Sequence, residues 1–90
     1  RQLGKIYLDE GRYTESLWFF TQHGIIAQQT TNRLAYIESV IDIARLKIKK
    51  KEYSMATADI NRAEILAKNA NTTKFASHIS EVRKSVRDRS

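Results

Sequence analysis

Apolar residues recur along the chain at helical spacing, and short polar breaks cut the pattern into five segments. In the first, Gln2 to Asp9, Leu3, Ile6 and Tyr7 share a face. "DEGRY" interrupts it, with Gly11 able to take the left-handed turn conformation. The second segment runs from about Thr14 to Gln29, with Thr14 as N-cap and Glu15 in the first turn. Tyr13, Leu17, Phe20, Gly24 and Ala27 follow one face. After "QTTN", Thr31 or Asn32 caps a third helix to about Lys50, with Leu34, Ile37, Ile41, Ala44, Leu46 and Ile48 inward. "KKKEYS" precedes a fourth, Ser54 to Asn69, burying Met55, Ala56, Ile60, Ala63, Leu66 and Ala67. "NANTT" ends it, and Thr72 or Thr73 caps a fifth helix with Phe75, Ile79, Val82 and Val86 inward. The joining turns are short, so consecutive helices are expected to pack as antiparallel hairpins.

The pattern repeats. A shift of 40 residues lays Gly4 on Ala44, Ile6 on Leu46, Leu8 on Ile48 and Tyr13 on Tyr53. Ser16 falls on Ala56, Phe20 on Ile60, and Ile25–Ala27 on Ile65–Ala67. Side-chain size is kept as well as polarity. A shift of 41 lays Leu34–Ile41 on Phe75–Val82, a weaker match. The unit is a helical hairpin in which Gly4 or Ala44 lies close to Ser16 or Ala56, and Phe20 or Ile60 fills the space one turn along.

Composition narrows the reading. The 90 residues make at most one domain, and 41% hydrophobic with 29% charged residues fits a globular chain. No proline occurs and only three glycines, which agrees with an all-α fold. No cysteine is present, which excludes disulfides, thiolate metal sites and a cysteine nucleophile, and leaves the compartment open. No apolar run approaches the ~20 residues of a membrane span. Because "RQLGKIYL" starts inside a helical pattern, the chain reads as a fragment of something longer.

These residues carry a family resemblance. "LGKIY" (Leu3 to Tyr7) resembles the Leu-Gly-x-x-Tyr of tetratricopeptide repeats, and Ser16 with Phe20 resembles that family's Ala-x-x-x-Phe. Gly11 and Tyr13 stand where the family turns between its two helices. The resemblance is good over 1–29 and fair over 35–69, with units of about 1–30 and 31–71 and a closing helix over 72–90. The sequence departs from the family at Lys47, in the slot of Tyr7, and at His23, in place of a small residue. It also lacks the closing proline, and its units exceed the common ~34 residues. Units of this length resemble those of bacterial signalling proteins.

The resemblance implies a short superhelix whose first helices line a binding groove for a protein or peptide, with no cofactor and no catalysis. Carried over residue by residue, it nominates Lys5, Leu8 and Asp9 in the first unit, and Glu38, Ile41, Asp42, Arg45 and Lys49 in the second. Leu8 and Ile41 are expected to give apolar contact. The bland alternative is a solvated face of mixed charge with local pairs such as Asp42 and Arg45. Trp18 is the misfit in "YTESLWFF": its slot is usually polar, and its counterpart is Ala58. It either covers a neighbour or anchors a partner, and self-association through Trp18 or the repeat ends is a further expectation.

Charge and the remaining chemistry add little. The net charge of +6 is concentrated in "RLKIKKK" and in the tail, where cations offset helix dipoles. A nucleic-acid reading rests on "KIKKKEY" (Lys47 to Tyr53), lysines beside an aromatic. It is the weaker alternative, because Tyr53 already has a turn-packing role. His23 and His78 lie in different helices and in no metal-binding spacing. His23 is expected to be partly buried and hydrogen-bonded.

Overall fold

The structure is a computed structural model that describes residues 2–89. They form five α-helices and, among the described residues, no strand. The helices are α1 (Gln2–Asp9), α2 (Tyr13–Gln29), α3 (Arg33–Lys49), α4 (Tyr53–Asn69) and α5 (Ala76–Arg89). None is long and apolar enough to cross a membrane.

The first four helices end alike. Gly11, Thr31, Lys51 and Asn71 take positive φ of 75°, 53°, 63° and 53°. The residue after each donates its N–H to the carbonyl five positions back. These bonds are Arg12 to Tyr7, Asn32 to Ala27 and Glu52 to Lys47 at 2.8 Å, and Thr72 to Ala67 at 3.1 Å. This is the hydrogen-bonded left-handed stop that satisfies the last carbonyls of a helix. Only one of the four is glycine. The other three hold the left-handed conformation at a cost of about 1 kcal/mol each, offset by the bonds it makes. The stops recur every 20 residues, and pairing them two apart gives the 40-residue repeat.

Helix starts follow the sequence less closely. Asn32 caps α3, its Oδ1 accepting from the Ala35 N–H at 3.1 Å. Thr14 is not a cap: α2 begins one residue earlier, behind Arg12, which makes no side-chain cap bond. Likewise α4 begins at Tyr53 behind Glu52. Thr72 turns its hydroxyl to the Lys74 N–H at 3.1 Å, and α5 starts only at Ala76.

Consecutive helices pack on one another as a stack of hairpins, and α5 also reaches α3. The larger core joins Ile37, Ile41 and Ala44 of α3 to Ile60 and Ala63 of α4 and to Phe75, Ile79 and Val82 in and before α5. A smaller one holds Leu8, Phe20 and Leu46. In the first hairpin the close approach is visible: a Cβ on Gly4 would lie 2.6 Å from Phe20 Cε1. The Ser16 hydroxyl donates to the Gly4 carbonyl at 2.7 Å, fully buried. In the second hairpin Ala44, Ala56 and Ile60 are buried at the matching positions.

Some expected core residues face solvent. In α1 the buried residues are Gly4 and Leu8, whereas Leu3 and Ile6 are 51% and 52% exposed. Helix α1 packs along α2, which leaves its opposite side open. Leu34 and Met55, in the first turns of α3 and α4, are exposed too. His23 is half-buried as expected, but its buried Nε2 has no hydrogen-bond partner among the described residues.

The match of α5 to α3 is also sharpened. At a shift of 41, exposed His78 would pair with buried Ile37. At 40, Phe75, Ile79, Val82 and Val86 fall on Ala35, Ser39, Asp42 and Leu46, every one buried or half-buried. The face of α3 that packs on α4, Ile37, Ile41, Ala44 and Ile48, then becomes Ser77, Glu81, Lys84 and Asp88 on α5. On α5 that face is polar and exposed.

Candidate functional site

Side chains three and four apart on a helix share a face. Lys5, Leu8 and Asp9 therefore stand together on α1, as do Asp42, Arg45 and Lys49 on α3. Tertiary packing brings both sets to the walls of one groove of about 410 Å³. Helix α5 adds Glu81, Val82 and Ser85, and Phe20 and Ile48 complete the lining. Lys5, Arg45 and Ser85 are spaced by 40 residues, so one repeat position lines the groove from α1, α3 and α5 in turn.

Charge in the groove balances: Lys5, Arg45 and Lys49 against Asp9, Asp42 and Glu81. Arg45 is the hub. Its Nη1 lies 3.8 Å from Asp42 Oδ1 and its Nη2 lies 3.6 Å from Glu81 Oε2. The same Nη2 donates to His78 Nδ1 at 3.0 Å, an arrangement that needs a neutral ring with its proton on Nε2. Asp42 is only 2% exposed, so its charge depends on such partners. Lys5, Asp9 and Lys49 are exposed and form no ion pair among the described residues. Those three groups, on two facing helices, are the ones free to meet a ligand.

Two nominated residues lie elsewhere. Ile41 is 2% exposed, packed under Phe75, Ile79 and Val82, and offers no apolar contact to a ligand. The correction has a plain cause, since α5 takes the surface that Ile41 would otherwise present. Half-buried Glu38 borders a separate small crevice, with Ile41, Arg45, Phe75 and His78. Leu8 is 9% exposed and sits low in the groove, with little apolar surface left to offer. Reading α5 at a shift of 40 would have nominated Glu81 and Ser85 from Ile41 and Arg45.

Trp18 lies outside the groove, 58% exposed on α2. Its ring meets Phe19 edge-on, centroids 5.0 Å apart at 88°. Phe19 in turn stacks on Tyr7 at 5.5 Å, and the Arg12 guanidinium sits 4.5 Å above Tyr7. Trp18 thus covers a neighbour with one edge and leaves the rest of its surface open. The Lys47–Tyr53 cluster is dispersed. Lys47 Nζ is 2.6 Å from Asp59 Oδ2, Lys50 pairs with Glu52 at 3.6 Å, and Tyr53 packs on the core.

Compared with protein-family models, with curated proteins and with solved structures, the chain finds no match in any of the three, so its own geometry carries the functional reading.

Proposed function

We propose that this chain is a non-catalytic tetratricopeptide-type module that binds a polypeptide segment in the groove between α1, α3 and α5. We place it as the sensor or scaffold part of a larger bacterial signalling protein. The observation that carries the reading is convergence. Lys5, Leu8, Asp9, Asp42, Arg45 and Lys49, nominated through the family resemblance, line one groove. Balanced charge suits a peptide, whose termini and backbone present both signs. Lys5 and Lys49 meet carboxylates and carbonyls, and Asp9 meets an amine or N–H. Arg45, held by Asp42, Glu81 and His78, keeps the wall in place.

The test is a screen of short synthetic peptides by amide chemical-shift change. A bound peptide should perturb Lys5–Asp9, Arg45–Lys49 and Glu81–Ser85, and Lys5→Glu with Lys49→Glu should weaken it about tenfold or more. Shifts confined to other faces would sink the reading.

A second reading, a structural or self-associating spacer, has its own observation. Exposed Leu3 and Ile6 match half-buried Ile43 and Leu46, which is 1% exposed. An apolar face used inside the stack is thus left open on α1, and Trp18 adds exposed apolar surface on α2. Sedimentation over a concentration range decides it. Association that Ile6→Glu and Trp18→Ala abolish supports the spacer, and a monomer at every concentration removes it.

A further inference from the structure

The 40-residue repeat sets two inter-hairpin crevices side by side for comparison. The first lies between α2 and α3. There a Cβ on Gly24 would stand 2.6 Å from Ser39 Oγ, so the helices touch at the glycine. Tyr36 occupies the adjoining space with Arg62 over its ring, and the crevice is about 200 Å³. The second lies between α4 and α5. Gly24 becomes Glu64, Gln28 becomes Lys68, Tyr36 becomes Ala76 and Ile43 becomes Arg83. A glutamate cannot allow the approach that glycine allows, and alanine leaves the space of the tyrosine ring empty. The crevice opens to about 450 Å³.

The open crevice is also the unbalanced one. Lys68, Arg83, Lys84 and Arg87 line it against the single acid Glu64. Arg83 is occupied, donating to Asn61 Oδ1 at 2.8 Å and lying 3.3 Å from Glu64 Oε1. Among the described residues Arg87 pairs with its neighbour Asp88, at 3.8 Å and well exposed, a contact worth little. Lys68 and Lys84 are exposed and make no ion pair among the described residues. Between the cations, buried Ala67 and Ile79 form an apolar floor.

We propose that the α4–α5 crevice docks an acidic polypeptide segment of a partner protein, its carboxylates on Lys68, Lys84 and Arg87 and its small apolar side chains on Ala67 and Ile79. Charge complementarity sets the sign of the occupant, and the floor sets its class. Single-stranded nucleic acid is held by stacking on aromatic rings, and no aromatic residue lines this crevice. Non-specific duplex binding draws on more phosphate contacts than three free cations provide. The site is separate from the α1–α3–α5 groove and stands whether or not that groove binds a peptide.

The experiment uses a synthetic peptide in which glutamates alternate with alanines and leucines, and a matched peptide with glutamine for every glutamate. Amide shifts should move at Glu64–Lys68 and over Thr72–Arg87. The affinity should fall as salt rises, and the glutamine peptide should not bind. Lys68→Glu with Lys84→Glu should weaken binding about tenfold, with helical circular dichroism unchanged because both side chains are exposed. The proposal is overturned if the acidic peptide does not bind, if the double reversal leaves affinity intact, or if the shifts fall on Lys5–Asp9. Tighter binding of a single-stranded oligonucleotide than of the acidic peptide in the same crevice also overturns it.

Discussion

The hairpins α1–α2 and α3–α4 have the same backbone plan and different fillings. Both turn through left-handed residues 40 apart, Gly11 with Lys51 and Thr31 with Asn71. Where the first sets Gly4 against Phe20, the second sets Ala44 against Ile60. Where Ser16 bonds the Gly4 carbonyl, Ala56 has no hydroxyl to offer. The Tyr7–Phe19 stack of the first becomes the Lys47–Asp59 ion pair of the second, both partners changed together. At two pairs of matching positions both partners thus change chemistry together. What the repeat conserves is the backbone stops and, where Gly4 and Phe20 become Ala44 and Ile60, the summed side-chain volume, since a close-packed interior responds to shape before it responds to identity.

The hardest test of that comparison is Gly4→Ala. Its methyl meets the ring of fully buried Phe20, so the ring must shift from its packed position. We expect a loss of about 1–3 kcal/mol in chemical denaturation. Adding Phe20→Ile recreates the Ala44–Ile60 pairing and should recover part of it. A double variant no better than the single would break the volume argument.

Next come the two inter-hairpin contacts. Gly24→Ala forces its methyl on buried Ser39 and should cost about 1–3 kcal/mol. Glu64→Ala, at the matching position, removes only an exposed pair with Arg83 and should change stability by about 0.5 kcal/mol or less. Equal effects would mean that the two crevices do not differ as described.

A smaller effect separates the stack from the ion pair. Asp59→Phe alone leaves Lys47 beside a ring, and Lys47→Tyr alone leaves Asp59 without its cation. Together they rebuild the Tyr7–Phe19 stack, so a double-mutant cycle should show a favourable coupling of about 0.5–1 kcal/mol. A coupling of zero would show the two positions to be independent.

The smallest effect belongs to the first hairpin alone. The Glu15 carboxyl is held below its ordinary value of 4.5, first by its own backbone N–H and then by Arg12. The matching residue, Met55, does not titrate. A carboxyl whose folded value is depressed adds stability above its unfolded value and loses it as pH falls through the folded one. The difference between wild type and Glu15→Gln should therefore be present above pH 4.5 and vanish with acidification. A difference that persists in strong acid would assign the effect to packing.

Much of this arrangement is legible in the chain. The four breaks, the helix type and the pairing of Gly4 with Phe20 follow from periodicity and side-chain volume, because helix ends and close contacts leave local marks. Six residues nominated through the family resemblance line one groove, because residues three and four apart share a helix face. Glu81 and Ser85 escape the sequence reading because the resemblance nominates residues only in the first two units, and a shift of 41 in place of 40 turns α5 by about 100°. Thr14 looks like a cap, yet the preceding left-handed stop already fixes where α2 begins.

By itself the sequence determined the number of helices, the stops that end the first four and the 40-residue rhythm, since hydrogen bonding within a helix and the stops between helices are local. Tertiary structure decided which of two similar faces stays open. Leu3 and Ile43 are alike in sequence, as are Ile6 and Leu46. Only the presence of α2 against α3 covers the second pair and leaves the first exposed. It also decided that Ile41 belongs to the core and that two lysines of α4 and α5 border an open crevice. Exposure is a property of neighbours, and neighbours are fixed by packing between segments far apart in the chain.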